Sequence, residues 1–279
     1  EGIGKKGANN VASLIIKTLR ELNLLRENSV GSELNIIFDN CSGQNKNNTV
    51  IRLAGWLNAT NYFKEVNFIF LVVGHTKNAA DRLFNSLKTK YRLQNLFTFQ
   101  DLLEALNRSP MVTVHPTSPV DFCDYAKLME ELYRTLSGNI KTNHIFSCTD
   151  DGSQMTLQKS NLAEHREFGF NLCKKGTWDG MTHAEIANFS KSVLEEPIRY
   201  TGLNPYKAVE MFTKYRPVVP DEFHSDELYA EPSVEVWSKV KTEKIDRSEF
   251  RKKLKATKYA NNKERIESLA LDEADGAAM

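Results

Sequence analysis

Two short apolar runs separated by a helix-length segment constrain this chain more than any other feature. Leu34-Asn35-Ile36-Ile37-Phe38 is brief, apolar and rich in β-formers, and Val66–Val73 is a second run of strand length, broken by Gly74. Between them Thr49–Leu57 sets Val50, Leu53, Ala54 and Leu57 at helical spacing. Strand, helix and strand in that order predict adjacent parallel strands joined by a right-handed crossover. Asn9–Leu25 is amphipathic through Val11, Leu14, Ile15, Leu19, Leu22 and Leu25, and Asn78–Tyr91 turns Leu83, Phe84 and Leu87 inward. The Asn9–Leu25 and Thr49–Leu57 helices are expected to pack on the sheet. The alternation predicts an α/β fold with a largely parallel sheet.

Downstream, the pattern predicts a helix over Phe99–Asn107, a strand over Met111–His115, a helix over Phe122–Leu136 and a strand over Asn143–Cys148. The expected organisation is an α/β domain over residues 1–196, with its core motifs in 1–150. A proline-containing wrap or linker over 197–233 follows, around Pro205, Pro217 and Pro220, and then a basic helical arm and frayed tail over 234–279. The arm carries Lys241, Lys244, Arg247, Arg251, Lys252, Lys253 and Lys255 against Glu243, Asp246 and Glu249.

A hydrophobic content of 41% with 10% aromatics excludes wholesale disorder. With 37 Lys+Arg against 36 Asp+Glu the net charge is +1, so there is no global field to attract nucleic acid. Any such affinity must come from local patches and fall steeply with salt. No apolar run reaches the ~20 residues of a membrane span, so no membrane partner is expected. Glu1 replaces an initiator Met and no signal-peptide pattern follows it, which reads as a fragment of a longer chain. Cys41, Cys123, Cys148 and Cys173 lie far apart with no C-x-x-C, against both a zinc knuckle and a disulfide framework. A reducing, intracellular setting is expected.

Three segments are candidates for chemistry. Gly2-Ile3-Gly4-Lys5-Lys6-Gly7 spells the dinucleotide fingerprint, but no strand precedes it and the ribose-binding acid is not at its usual spacing, so it reads as a flexible lead to a helix. Asp39-Asn40-Cys41-Ser42-Gly43-Gln44-Asn45-Lys46-Asn47 is a polar loop directly after a buried strand. A carboxylate there sits at a sheet edge where α/β proteins bind ligands and suits a hard cation such as Mg²⁺. An Asx-turn in which Asp39 merely caps its own loop explains it equally well. Gly74-His75-Thr76-Lys77-Asn78 with Asp81-Arg82 follows the second strand, and reads either as a helix start with an acid in its first turn or as a second contribution to that edge. Cys41 near His75 has the spacing of no known thiol nucleophile and reads as a small packing residue. His115, His144, His165, His183 and His224 lack ligand spacing and are read as structural.

The succession Lys6-Gly7-Ala8-Asn9, then Phe38-Asp39-Asn40-Cys41-Ser42-Gly43-Gln44-Asn45-Lys46-Asn47, then Val73-Gly74-His75-Thr76 leading to Asp81-Arg82 and Phe84, resembles the uncharacterised RNase H-like domain of transposon-derived eukaryotic proteins. That domain is similar to a DDE-type transposase or integrase core. The resemblance covers residues 1–150 and implies an RNase H-like mixed sheet flanked by helices. It also implies an acidic triad in which Asp39 is the second member and Asp81 the third. The first member would lie on a strand upstream of Glu1, so the triad within this chain is incomplete. The implied chemistry is two-metal phosphodiester cleavage or strand transfer with Mg²⁺ or Mn²⁺. Asp39 and Asp81 would be the metal ligands, and His75 would orient the water or the scissile phosphate. Gln44, Asn45, Lys46 and Lys77 would contact nucleic acid, DNA rather than RNA; outside the span of the resemblance, Lys252 and Lys253 of the basic arm read equally as nucleic-acid contacts or as a solvated helix face. The resemblance further implies a nuclear setting and is compatible with a homo-oligomer. The competing reading is a degenerate relative that only binds nucleic acid or protein, and a third class, a nucleotide-binding oxidoreductase, rests on the glycine lead alone.

Overall fold

The two apolar runs form β1 (Glu33–Phe38) and β2 (Glu65–Phe70), paired in parallel with Phe38 opposite Phe70. The computed structural model describes residues 7–25, 32–72, 79–110, 112–136, 140–149, 152–159, 168–174, 181–198 and 202–244. Within them, α1 (Ala8–Glu21) precedes β1, and α2 (Asn48–Ala59) makes the crossover between the two strands. After β2 come α3 (Ala79–Tyr91), α4 (Phe99–Asn107), α5 (Tyr125–Leu132), β3 (Ile145–Thr149), β4 (Gln154–Gln158), β5 (Phe168–Asn171) and α6 (His183–Leu194).

The sheet has the order β1-β2-β3-β4-β5, with the first pair parallel and the other three antiparallel. The fold is therefore mixed α/β, and the expectation of a largely parallel sheet is corrected. For β3 and β4 the cause is local: only residues 150–153 join them, and so short a link permits only antiparallel pairing. Phe38, Val66, Phe68, Phe70, Phe146, Cys148, Met155 and Leu157 form one buried face. The alternate residues Glu33, Asn35, Glu65, Ser147, Thr149, Gln154 and Thr156 make the opposite face largely polar.

Helix α2 lies directly on β2 and β3 and is itself covered by α1 and α5, so every residue from Val50 to Ala59 is buried. That is why its sequence is apolar all round instead of striped. The expectation that α1 packs on the sheet is corrected: its buried Ala12, Ile16 and Leu19 seat mainly against α2 and α5. Trp56 in α2 donates its indole N–H to Ser190 Oγ of α6 at 2.8 Å and meets Tyr62 and Tyr125 edge to face. Burial pushes the Cys148 thiol up, making it an inert packing group, and all four cysteines are free.

Two further expectations are corrected. Residues 112–118 form no strand, and Met111 lies outside the described residues. Pro116 supplies no ladder donor there, and the turn Pro119–Asp121 follows at once. The expected helix over Phe122–Leu136 is only Tyr125–Leu132, because Asp124 caps it by accepting from the Lys127 amide at 3.1 Å. Beyond Leu132 the chain extends, with Tyr133 bridging to Cys173.

The chain divides into two compact units, residues 1–95 with 102–202 and residues 96–101 with 203–279. In the second, Asn204 Oδ1 accepts from the Tyr206 amide to cap α7 (Pro205–Glu210), which runs into a π-turn over Met211–Tyr215 and a series of short turns. Val209, Tyr229 and Val240 are buried, the Phe97 and Phe223 rings pack at 4.9 Å, and Tyr229 Oη donates to the Phe97 carbonyl at 2.5 Å. The proline-containing stretch thus has apolar packing of its own. Residues 234–244 are helical, while the rest of the basic arm, with Lys252 and Lys253, lies outside the described residues.

A capping box starts α4. Thr98 Oγ1 accepts from the Asp101 amide at 3.1 Å, and Asp101 Oδ2 accepts from the amides of Thr98 and Phe97, both at 2.9 Å. The Thr98 and Phe97 amides hold the Asp101 carboxyl below its ordinary range. Between the folded and unfolded pKa values the unfolded chain binds more protons, so this contribution is present above the unfolded value and is lost as pH falls through the folded one. Urea unfolding across the acid range should show an acid limb that is shallower in Asp101→Asn than in the native chain. Identical slopes would mean that the box makes no contribution.

Candidate functional site

The loop from Asp39 to Asn47 leaves the C-terminal end of β1, at the edge where β2 also ends because the two strands are parallel. It is anchored from below by aromatic packing, since Phe38 stacks on Phe70 at 5.1 Å and 17°. Within the loop the Cys41 carbonyl accepts from the amides of Gln44, Asn45 and Lys46 at 3.3, 2.8 and 3.0 Å. Asn47 Nδ2 donates to the Gln44 carbonyl at 2.8 Å, and its Oδ1 accepts from the Val50 amide at 3.1 Å as the N-cap of α2. Asn48 Oδ1 accepts from the Leu136 amide at 2.8 Å, tying the start of α2 to the segment after α5. Most of the motif's polar side chains therefore hold the loop in one shape.

Asp39 is exposed, and its two hydrogen bonds both fall on Oδ1, one from the Cys41 amide at 3.4 Å and one from Asn45 Nδ2. This is the Asx-type closure that the sequence allowed. It also fixes the orientation of the carboxylate while drawing on only one of its oxygens. A carboxylate offers about four lone-pair sites, so the closure does not exhaust its capacity to ligate.

Lys46 is only 4% exposed. Its ammonium donates to the Lys141 carbonyl at 3.2 Å and lies 5.7 Å from the centre of the Phe70 ring. Burial lowers its pKa, as expected for a cation taken out of water. In this arrangement Lys46 is a strut between the loop and the sheet end. His144 completes that end, with Nδ1 hydrogen-bonded to the Phe70 carbonyl at 2.9 Å.

Asp81 lies exposed in the first turn of α3, where an acid suits the helix dipole. His75 and Lys77, with Gly74, Thr76 and Asn78, lie outside the described residues, as do Gly2 and Gly4 of the glycine lead. Gln44 and Asn45 are half-buried in the loop, Asn45 as the clamp on Asp39. Among the described residues no three His, Cys, Asp or Glu side chains gather in a group able to hold a metal ion. Nor is any helix among them long and apolar enough to cross a membrane.

The sequence reading passed over Arg52. It is the one charged residue inside the wholly buried stretch of α2, and that anomaly was legible: a cation amid Val50, Ile51, Leu53 and Ala54 needs acceptors built for it.

A search of curated proteins found no match, and a search of solved structures found none. A family model does match, over residues 4–164, described as "Domain of unknown function (DUF7869)". That span includes α1, the Asp39 loop, β1 to β4 and Asp81, more than half of the chain, and on it the protein belongs to the DUF7869 family.

Proposed function

We propose that this chain carries an RNase H-like domain of transposase descent whose Asp39 edge serves two-metal phosphodiester cleavage or strand transfer on nucleic acid, DNA rather than RNA, in the nucleus. The observation that carries this reading is the parallel pairing of β1 and β2 together with the closure on Asp39 Oδ1. Parallel strands bring the Asp39 loop and the chain leading to Asp81 out at one edge, the edge where α/β sheets bind ligands. The fixed carboxylate is the kind of support that metal-ligating acids receive from their neighbours.

Asp39 and Asp81 would be the oxygen donors to an Mg²⁺ or Mn²⁺ ion, with Asn45 and the Cys41 amide holding the first of them. When bound, such ions supply Lewis-acid neutralisation of the phosphoryl oxygens. The Asn45 hydrogen bond orients Asp39, which lowers the reorganisation needed on binding. His75 is proposed to orient the attacking water, and Lys77, Lys252 and Lys253 to contact the backbone phosphates.

The second reading, a non-catalytic nucleic-acid- or protein-binding module, is favoured by a specific observation: the Asp39 loop is fully closed by its own residues, and Lys46 faces inward. The experiment is cleavage of labelled duplex and single-stranded DNA in Mg²⁺ and Mn²⁺. It compares this chain, a version lengthened upstream of Glu1, and the Asp39→Asn variant of each. Cleavage that depends on Asp39 supports the catalytic reading. DNA retained in gel shifts without cleavage by the lengthened version supports the binding module instead.

A further inference from the structure

Arg52 is 3% exposed, yet it lines a hollow of about 320 Å³ together with Glu130, Tyr133, Arg134, Thr135 and Lys174. Its guanidinium is held by neutral acceptors: Nε donates to the Arg134 carbonyl and Nη2 to Thr135 Oγ1, each at 2.9 Å. The other two cations are built in the same way. Arg134 donates from Nε and Nη2 to the Asn171 carbonyl at 3.2 and 2.5 Å, with its guanidinium 5.2 Å from the centre of the Phe170 ring, and Lys174 donates to the Glu130 carbonyl at 3.1 Å.

The frame beneath them is rigid. Tyr133 bridges Cys173 in antiparallel fashion, the Arg134 amide donates to the Leu172 carbonyl at 2.8 Å, and the Lys174 amide donates to the Leu132 carbonyl at 3.3 Å. Three cations thus surround one hollow with a single carboxylate, Glu130, in its lining. Among the described residues none of the three forms an ion pair with a carboxylate. Glu130 acts electrostatically on Arg52 and offsets part of its charge, which leaves the set of three cations with a net positive charge. A buried guanidinium in that state is costly unless an anion arrives to match it.

We infer that the Arg52–Arg134–Lys174 hollow binds a phosphate group. Two guanidinia and an ammonium suit a tetrahedral oxyanion with several acceptor oxygens. The volume lies at the lower end of the range for small-molecule sites, which favours a phosphate carrying an ester substituent over a bare ion. Free phosphate monoesters and the phosphodiesters of nucleic acid share this chemistry. The site shares no lining residue with the Asp39 loop and does not depend on the catalytic reading.

The test uses the full chain and its Arg134→Gln/Lys174→Gln double variant, which keeps both side chains long and polar, with circular dichroism to check that the fold is retained. Inorganic phosphate and ribose 5-phosphate at millimolar concentration, against chloride at matched ionic strength, should raise the melting temperature of the native chain more than that of the variant. Phosphate also stabilises proteins non-specifically, and the difference between the two chains removes that effect. In the second arm a short labelled single-stranded oligonucleotide is titrated over a salt series. If the hollow takes phosphodiesters, the double variant loses affinity uniformly across sequences and its salt slope falls by about 1.4, roughly 0.7 for each cation removed. Phosphate should then compete with the oligonucleotide. Arg52→Met tests the buried member, and the double variant decides alone where that change disrupts folding. Equal melting shifts and equal oligonucleotide binding in the native chain and the double variant would overturn the assignment.

Discussion

Gly152→Ala should cost about 3 kcal/mol or more of stability, seen as a lower urea midpoint or outright failure to fold. Gly152 has φ +71°, and a Cβ built there falls 2.2 Å from the Gly55 carbonyl oxygen and 2.8 Å from both the Cβ and the backbone nitrogen of Ala59. None of those atoms is the far end of a flexible side chain, so relief requires the β3–β4 turn to lift off α2. Overpacking of this kind typically costs about 1–3 kcal/mol, and the left-handed backbone adds roughly 1–2 for a residue with a Cβ. The close approach is mutual, because a Cβ on Gly55 would lie 2.9 Å from Leu172 Cδ1 and 3.1 Å from the Gly152 carbonyl oxygen. Gly169→Ala is the control. Its Cβ would meet nothing within 4 Å, so it should move the midpoint by no more than roughly 0.5 kcal/mol. Equal midpoints for the two variants would mean that the turn is not seated on the helix.

That contact also marks where sequence reasoning stopped. The first two strands and their crossover helix were legible because long-period patterns report them: Leu34–Phe38 and Val66–Val73 are dense apolar runs, and the helical spacing between them is regular. α4 was legible as a helix near Phe99–Asn107. β4 was not, because Gln154-Met155-Thr156-Leu157-Gln158 buries only two apolar side chains, with Thr156 and Gln158 half-buried and Gln154 exposed, a short alternation whose pairing is decided by the neighbouring strand. The start of α6 was available in principle, since Thr182 and Glu185 form a capping box, with Glu185 Oε2 accepting from the Thr182 amide at 2.7 Å.

The polar loop was found, but its division of labour was not. Sequence distinguishes a polar side chain from an apolar one, yet it does not say whether that side chain faces a ligand or its own backbone. Lys46 shows the difference: an isolated lysine in a polar loop reads as a phosphate contact, whereas the fold turns it under the loop onto the Lys141 carbonyl. Arg52 is the converse case. It lay inside an apolar helix and attracted no notice, although a charge in such a place carries more information than one on a surface.

Asp39→Asn should abolish specific Mn²⁺ binding by the chain, and Asn45→Ala should weaken it by about 10- to 100-fold, measured by calorimetric titration. The two variants separate ligand from support. Asp39→Asn removes the charge and replaces one carboxylate oxygen with an NH2 group that cannot ligate, leaving a single neutral carbonyl oxygen as donor. Asn45→Ala leaves the carboxylate intact but removes one of the two donors that fix its Oδ1, with only the 3.4 Å contact from the Cys41 amide remaining. The side chain then populates other rotamers, and binding must bear the cost of ordering it. If Asp39 were solely a loop cap, the order would vanish. Both variants would then lose loop stability alike through the same bond, and Mn²⁺ affinity would be equal in the native chain and in both variants. A graded loss, complete for Asp39→Asn and partial for Asn45→Ala, follows only when the carboxylate is a ligand and the amide its positioning partner.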